Sequence, residues 1–181
     1  EQWFLRYPKT QEALAAVRDH LIRFFPAHWE KVYTQWLENI QDWCISRQVG
    51  WGHRVPAWYP KQTSEVRGQK SENSEIYVGL EPPPDPGHWT QDEDTLDTWF
   101  SSWLWAYETM DEATRKKFYP TSVLVTAPDI IFFWVARMII AGLEFKPGKT
   151  EKVEDNIPFR DVFFTGLIRD KQGRKMSKSL G

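Results

Sequence analysis

The sequence predicts an α/β protein, because its last third carries the pattern of parallel strands joined by a helix. Residues 123–126 form a short apolar run that predicts a buried strand, and Pro128 follows as the first residue of a predicted helix. That helix is apolar on nearly every side, so we expect it to be buried. Residues 160–165 predict a second strand, which completes half of a doubly wound sheet with a right-handed crossover.

Helices are also predicted in the chain before this unit. Residues 10–20 predict the first helix, and a short apolar piece ending at Pro26 follows it. A second helix is predicted because apolar side chains recur at the spacing of one buried face. They are Trp29, Val32, Tyr33, Trp36, Leu37 and Ile40. The same spacing predicts a third helix, with acidic residues 92–94 near its positive end. Its stripe comprises Leu96, Trp99, Phe100, Trp103, Leu104 and Tyr107.

Short strands and a surface excursion are predicted between the second and third helices. Residues 43–46 and 55–59 predict the strands. Residues 60–91, rich in Ser, Glu, Gly and Pro, predict the excursion, with one strand over residues 75–78. The expected architecture is therefore a parallel α/β unit preceded by a helical and irregular connective segment.

Composition excludes several classes of protein. Apolar residues make up 41% and aromatic residues 15% of the 181, far more packing material than a disordered chain carries. The net charge of −2 provides no global basic field, so any RNA contact would come from a local cluster such as residues 169–178. The longest apolar run, residues 130–143, is interrupted by Arg137 and is shorter than the roughly 20 residues of a membrane span.

Cysteine usage and the start of the chain add two expectations. Cys44 is the single cysteine, which excludes an internal disulfide and a multi-cysteine zinc knuckle. No zinc is therefore predicted, and a reducing, cytoplasmic setting is expected. The sequence begins without a Met or a charged leader, so we expect it to belong to a longer protein.

The predicted sheet indicates where ligands bind. Ligands of doubly wound sheets lie at the carboxyl ends of the strands, here residues 126–129 and 165–166. Residues 175–179, Lys-Met-Ser-Lys-Ser, follow a polar turn that Gly173 closes. On a loop at that edge, the lysines could neutralise a triphosphate while hydroxyl and N–H groups bind its oxygens. By composition alone, a solvated basic loop is the commoner interpretation of such a run.

Residues 175–179 are identical to the second signature motif of the class I aminoacyl-tRNA synthetases, and their place after an α/β unit resembles that family. The resemblance implies the second half of a Rossmann-like catalytic domain in an adenylate-forming enzyme that uses ATP with Mg²⁺. It implies that Lys175 and Lys178 are catalytic. The implied ATP site comprises Gly166, Lys175, Met176, Ser177, Lys178 and Ser179.

Several separated blocks resemble the valine-specific members of this family. They are residues 42–48, 51–59, 94–102 and 129–138. The implied valine site comprises Trp99, Asp129, Ile130 and Trp134. Ile130 and Trp134 are four residues apart, which places them on one face of the predicted helix. Asp129 either binds a polar group of the substrate or caps its helix. Arg47 and His53 either support the substrate end of the sheet or serve as structural hydrogen-bonding residues.

The resemblance also implies valine, ATP and tRNA(Val) as partners, no membrane, and a monomeric full-length protein. Residues 1–25 would end an inserted editing region, residues 26–91 would form a catalytic-core segment that includes the excursion, and residues 92–181 would form the second half of the domain. The first signature motif, His-Ile-Gly-His, does not occur in the sequence, so the chain alone is expected to be inactive. The alternatives are an isoleucine-specific fragment and a non-catalytic module that binds RNA or protein through a Trp-rich surface.

Overall fold

The structure is a computed structural model that describes residues 2–61 and 76–176. The described residues form two compact units, each built from separate stretches of chain. The first unit contains residues 2–4 and 44–98, and the second contains residues 5–43 and 99–176.

Short strands and helices alternate along the chain. The strands are β1 (Phe4–Leu5), β2 (Arg23–Phe25), β3 (Trp43–Cys44), β4 (Ser46–Arg47), β5 (Ala57–Pro60), β6 (Tyr77–Val78), β7 (Trp89–Gln91), β8 (Thr95–Leu96), β9 (Thr121–Thr126) and β10 (Phe159–Phe164). The α-helices are α1 (Thr10–Arg18), α2 (His28–Glu38), α3 (Thr98–Ser102), α4 (Trp105–Glu108), α5 (Glu112–Phe118), α6 (Ala136–Phe145) and α7 (Val153–Asn156). The first two predicted helices, the short strands and both strands of the parallel unit are thus confirmed.

A three-stranded parallel sheet forms the centre of the second unit. Its order is β2, β10, β9, and Phe163 of β10 lies opposite Phe25 on one side and Val125 on the other. The backbone N–H of Thr165 donates to the carbonyl of Thr126 at 2.9 Å, so the pairing continues to the carboxyl edge. The predicted parallel arrangement is confirmed.

One face of this sheet is buried and the other is exposed. On the buried face, Phe24 packs edge-on against Tyr33 of α2 and against Phe164, with ring centroids 5.1 and 5.7 Å apart. The opposite face presents exposed apolar side chains, which no described element covers. They are Phe25, Val123, Val125 and Phe163.

The prediction that residues 123–126 form a buried strand is therefore wrong in its burial, although the strand itself is present. Val123 and Val125 are 51% and 57% exposed. An apolar run without alternation predicts burial on both faces, but it cannot show whether both faces are covered. In the described residues, β9 pairs only with β10 and is an edge strand.

The helix predicted to begin at Pro128 also differs from the expectation. Pro128–Ile130 is a single 3₁₀ turn, Ile131–Val135 is a π-helical turn, and only then does α6 begin. Ile130 has φ −116° and ψ 19°, outside the helical region, so the first turn does not continue directly into the next. The predicted burial of the long helix is confirmed for α6, where every residue from Ala136 to Leu143 is buried.

The third predicted helix is wrong over its first part. Thr95–Leu96 is the strand β8, which pairs antiparallel with β4, and the helix is split into α3 and α4. The acidic residues do not lie at a helix start, because the Asp92 carboxylate accepts the N–H of Asp94 at 2.9 Å and closes a local turn. Strand pairing with a distant segment therefore outweighs the local helical spacing.

The Asp92 carboxylate connects separate segments of the first unit through hydrogen bonds. It also accepts the Trp3 indole N–H at 2.8 Å and the Tyr59 hydroxyl at 2.9 Å. Burial raises the pKa of this carboxyl, but the hydrogen bonds from Trp3, Asp94 and Tyr59 together hold the pKa below its ordinary value. The ionised form of Asp92 is thus favoured by the fold.

The second unit contains a buried arginine within its most apolar helix. Arg137 of α6 is 7% exposed, and its Nε donates to the Tyr7 hydroxyl at 2.9 Å. The guanidinium lies 3.5 Å from the centroid of the Trp43 ring, which provides a cation–π contact in place of a carboxylate.

Within the described residues, no helix is long and apolar enough to cross a membrane.

Candidate active site

A cleft lies at the carboxyl edge of the parallel sheet, where the sequence predicts ligand binding. It has a volume of about 390 Å³. Its walls come from the segments that follow β2, β9 and β10, because parallel strands end at the same edge. The lining residues are Pro26, His28, Trp29, Pro128, Phe164, Thr165, Gly166, Leu167 and Arg169.

A tight turn carries the chain from this cleft to the lysine-rich run. Asp170 accepts the backbone N–H groups of Gln172 and Arg174 at 2.9 and 2.8 Å, and the Arg174 N–H bond holds the pKa of the Asp170 carboxyl below its usual value. Gly173 has φ 79°, the left-handed conformation that glycine adopts without strain. The turn predicted from the sequence, closed by Gly173, is confirmed.

The turn brings Lys175 back beside Arg169, with which it forms an antiparallel bridge. From there the Lys175 ammonium forms an ion pair with the carboxylate of Asp129, in the 3₁₀ turn that follows β9. The two side chains are 54% and 27% exposed, so solvent screens the pair. Two residues from different parts of the predicted site are thereby in contact at the carboxyl edge.

The other residues of the implied ATP site differ in their position and exposure. Gly166 lines the cleft, and a Cβ built there would meet no other described atom within 4 Å. Met176 is 52% exposed. Ser177, Lys178 and Ser179 lie outside the described residues.

An aromatic cluster lies beside the π-helical turn. The ring of Trp99 in α3 stacks on Phe133 with centroids 5.8 Å apart. The Trp134 indole N–H donates to the carbonyl of Ser102 at 2.9 Å, and Phe132 stacks on Trp36 with centroids 5.0 Å apart. Each of the three consecutive aromatic residues therefore has its own partner on a neighbouring helix.

Ile130 and Trp134 are both half-buried, but they do not share one face of a regular α-helix. Ile130 ends the 3₁₀ turn and Trp134 belongs to the π-helical turn, so the spacing argument for a common face does not apply. Asp129 has no helix-capping hydrogen bond in the described residues, because its carboxylate pairs with Lys175 instead.

Arg47 and His53 belong to the first unit. Arg47 donates through Nη1 to the carbonyls of Cys44 and Ser46, each at 2.8 Å, and through Nη2 to the buried Asp97 at 2.5 Å. These bonds give Arg47 a structural role within its own unit. The His53 carbonyl accepts the N–H of Leu96 at 2.7 Å, and its side chain is exposed.

Sequence reasoning missed the wall of the cleft formed after β2. The sequence pattern predicts Trp29 only as part of the second helix and does not single out His28, although both line the cleft and Trp29 packs against Phe164 with ring centroids 5.5 Å apart. The sequence signal for this wall was the short apolar run before Pro26, which forms a third parallel strand.

Among the described residues, no group of three or more His, Cys, Asp or Glu could hold a metal ion.

Comparison with known proteins identifies the family of this chain. The family described as tRNA synthetases class I (I, L, M and V) matches residues 1–181. A valine–tRNA ligase of Chlorobaculum tepidum is 51% identical over 189 residues, covering 100% of this chain and 19% of that protein. A valine–tRNA ligase of Geobacillus kaustophilus is 52% identical over 187 residues, covering 99% and 19%. The chain therefore spans about a fifth of the length of these relatives.

Solved structures agree on the fold. A Mycobacterium tuberculosis methionyl-tRNA synthetase bound by methionyl-adenylate superposes with a TM-score of 0.55 at 20% identity, over 98% of this chain and 28% of that one. An Agrobacterium radiobacter K84 LeuRS in a ternary complex with tRNA and LeuAMS gives a TM-score of 0.54 at 20% identity, over 85% and 24%. The parallel sheet, the loop at its carboxyl edge and the match along the whole sequence lead to one assignment: the chain belongs to the class I tRNA synthetase family of the I, L, M and V enzymes.

Proposed function

We propose that the protein carrying this chain is a valine–tRNA ligase, which activates valine with ATP and transfers it to tRNA(Val). The observation that carries the proposal is the contact of Lys175 with Asp129 at the carboxyl edge of the parallel sheet. It brings Lys175, the first residue of the lysine-rich run, to the edge where nucleotides bind in doubly wound sheets. The identity of about half the residues with valine–tRNA ligases supports valine as the amino acid.

In the proposed reaction, a carboxylate oxygen of valine attacks the α-phosphorus of ATP, and the bond to pyrophosphate breaks. Negative charge grows on the leaving pyrophosphate, and the ammonium groups of Lys175 and Lys178 stabilise it. Mg²⁺ enters bound to ATP as part of that substrate. A hydroxyl of the terminal ribose of tRNA then attacks the acyl carbon, and AMP leaves. Gly166, Met176, Ser177 and Ser179 complete the proposed nucleotide contacts.

Asp129 has two proposed roles that follow one another. Before ATP binds, its carboxylate holds the Lys175 ammonium, as the ion pair indicates. When the triphosphate arrives, Lys175 transfers to the phosphate oxygens because they carry more negative charge. Asp129 is then available to bind the ammonium group of valine, which matches its position in the 3₁₀ turn that follows β9 at the carboxyl edge of the sheet.

Trp99, Ile130 and Trp134 are proposed to line the valine side-chain pocket. The stacking of Trp99 on Phe133 and the bond from Trp134 to Ser102 support this role, because they hold large rings in fixed positions. A small dry wall of this kind distinguishes aliphatic side chains by about 1 to 3 kcal/mol per methylene.

We further propose that the ATP site is incomplete in these 181 residues, because the sequence lacks the His-Ile-Gly-His motif. The chain alone should fold but not activate valine, since catalytic groups act as a set. Residues 1–25 are proposed to end an editing region, residues 26–91 to belong to the catalytic core, and residues 92–181 to form its second half. A monomeric, cytoplasmic protein without zinc belongs to the same proposal.

The deciding experiment compares amino acids in the complete synthetase. We expect Trp134→Ala to lower the ratio of valine-dependent to isoleucine-dependent pyrophosphate exchange by about tenfold or more, because an enlarged pocket admits the longer side chain. Trp105→Ala is the matched control, since Trp105 is 59% exposed and lies outside the proposed pocket. Lost stability with an unchanged ratio would place Trp134 in the core rather than in the pocket, at a cost of roughly 3 to 5 kcal/mol.

The alternatives make different predictions in the same assays. An isoleucine-specific enzyme would show stronger exchange with isoleucine than with valine before any substitution. A non-catalytic module would show exchange with neither amino acid and would bind through exposed tryptophans. The tryptophans of the predicted stripes favour catalysis over this module, because Trp103 is buried and Trp29, Trp36 and Trp99 are half-buried. The exposed tryptophans are Trp51 and Trp105, at 92% and 59%.

A further inference from the structure

A second cavity lies at the opposite, amino-terminal edge of the parallel sheet. Its volume is about 510 Å³. It lies among α5, the link from α5 to β9, the loop after α6, and α7. The lining residues are Glu112, Arg115, Lys116, Tyr119, Pro120, Lys146, Pro147, Gly148, Thr150 and Asp155. Because β9 and β10 begin here, this cavity is separate from the cleft at their carboxyl ends.

Two of its cations have no carboxylate partner among the described residues. Arg115 donates through Nη1 to the carbonyls of Tyr107 and Met110, at 3.3 and 3.4 Å, and forms no ion pair there. The Lys146 ammonium lies 5.2 Å from the centroid of the Tyr119 ring and likewise forms no ion pair in the described part of the chain. These cations therefore keep most of their hydrogen-bonding capacity for a ligand.

The charges that face the cavity favour an added anion. Burial lowers the pKa of Lys146, the carboxylate of Asp155 opposes that change, and the positive charge of Arg115 lowers the pKa further. Glu112 pairs with Lys116 at 2.6 Å, and Asp155 accepts the Thr150 hydroxyl at 3.0 Å while keeping its negative charge. The lining therefore carries three cations and two carboxylates, a net positive charge. An anion between Arg115 and Lys146 would relieve the repulsion between their positive charges.

We propose that this cavity binds a phosphate group, held by Arg115 and Lys146. The guanidinium offers a planar pair of donors that matches phosphate oxygens, and the ammonium supplies a second charge. Gly148 and Thr150 also line the cavity, and a Cβ on Gly148 would meet no described atom within 4 Å, so the space beside Gly148 is free for a ligand. The phosphate is either a free ion or part of an RNA backbone. The RNA source rests on the proposed function, whereas the phosphate site does not.

The site itself is tested with inorganic phosphate. The amide resonances of the chain are followed by NMR while phosphate replaces chloride at constant ionic strength. We expect saturable shifts at Gly148 and Thr150, and at least about tenfold weaker binding in both Arg115→Gln and Lys146→Gln. Lys117→Gln is the matched control, because Lys117 lies on the same helix but does not line the cavity. Shifts without saturation, or equal affinity in all the variants, would overturn the proposal.

The source of the phosphate is decided with tRNA(Val) and the complete synthetase. If the cavity holds a backbone phosphate, Lys146→Gln reduces the slope of log affinity against log salt by about 1, while Lys117→Gln leaves it unchanged. An unchanged slope together with phosphate-dependent shifts assigns the site to a free phosphate ion. Because the NMR titration needs neither valine nor ATP, failure of amino-acid activation leaves that test intact.

Discussion

Replacement of Lys175 by Met tests whether this lysine has a catalytic or only a structural role. In the structure, the Lys175 ammonium pairs with Asp129, and the two side chains are 54% and 27% exposed. A pair with this much exposure contributes less than about 1 kcal/mol to the free energy of unfolding. If Lys175 instead stabilises the leaving pyrophosphate, its loss should cost roughly 2 to 4 kcal/mol in the transition state, or about 30- to 900-fold in rate.

Both quantities are measured on the same variant of the complete synthetase. Urea unfolding gives the change in stability, and valine-dependent pyrophosphate exchange gives the change in rate. Lys171→Met is the matched control, because Lys171 is an exposed lysine of the same turn with no ion pair among the described residues. An unchanged exchange rate in Lys175→Met, with only the stability reduced, would refute the catalytic role.

The remaining predictions concern the second lysine of the run, the buried arginine and the acidic centre of the first unit. Lys178→Ala should reduce the rate of adenylate formation by roughly 2 to 4 kcal/mol while valine affinity changes little, as measured by single-turnover kinetics. Arg137→Lys should lower the free energy of unfolding in urea by about 1 to 3 kcal/mol, because an ammonium keeps the charge but loses planar stacking on Trp43. The lowered pKa of Asp92 means that its stabilisation is present above the unfolded pKa of about 4 and is lost as pH falls through the folded value. Asp92→Asn should therefore flatten this acid dependence in circular-dichroism titrations, and an unchanged profile would count against the role of the Trp3 and Tyr59 bonds.

The sequence predicted elements whose side-chain spacing agrees with their final contacts. The stripe of α2 is one example, because Tyr33 and Leu37 are buried where the spacing places them. The parallel pairing of β9 and β10 followed from the strand, helix, strand order. Where a local signal competes with distant pairing, prediction fails, and the pairing of β8 with β4 replaced part of an expected helix.

The helix α5 shows a signal that sequence reasoning passed over. Asp111 lies three residues before Thr114, and its carboxylate accepts the Thr114 N–H at 2.7 Å as a helix cap. The backbone N–H of Thr114 is the first cause that lowers the pKa of the Asp111 carboxyl. Recognition of this cap would have placed Arg115 on a short helix, although only the folded chain brings Arg115 and Lys146 to one cavity.

The candidate site was predictable to the extent that sheet topology determines it. The rule that ligands bind at the carboxyl edge located Asp129 and Gly166. The structure adds the ion pair between Lys175 and Asp129. The wall formed by Trp29 depends on a strand of three residues, β2, which is too short for periodicity to identify. The exposure of Val123 and Val125 depends on what covers the sheet, which no local pattern encodes.

The π-helical turn at Ile131–Val135 has a consequence for how this segment can change in evolution. Such a turn closes its hydrogen bonds over one residue more than an α-helical turn does. Deletion of one residue there would convert it to ordinary α-helix without shortening α6. Every side chain before the deletion would then rotate by about 100° relative to α6. Phe132 and Trp36 would lose their stacking, so length variation at this one position would alter the proposed amino-acid pocket while the parallel sheet remained intact.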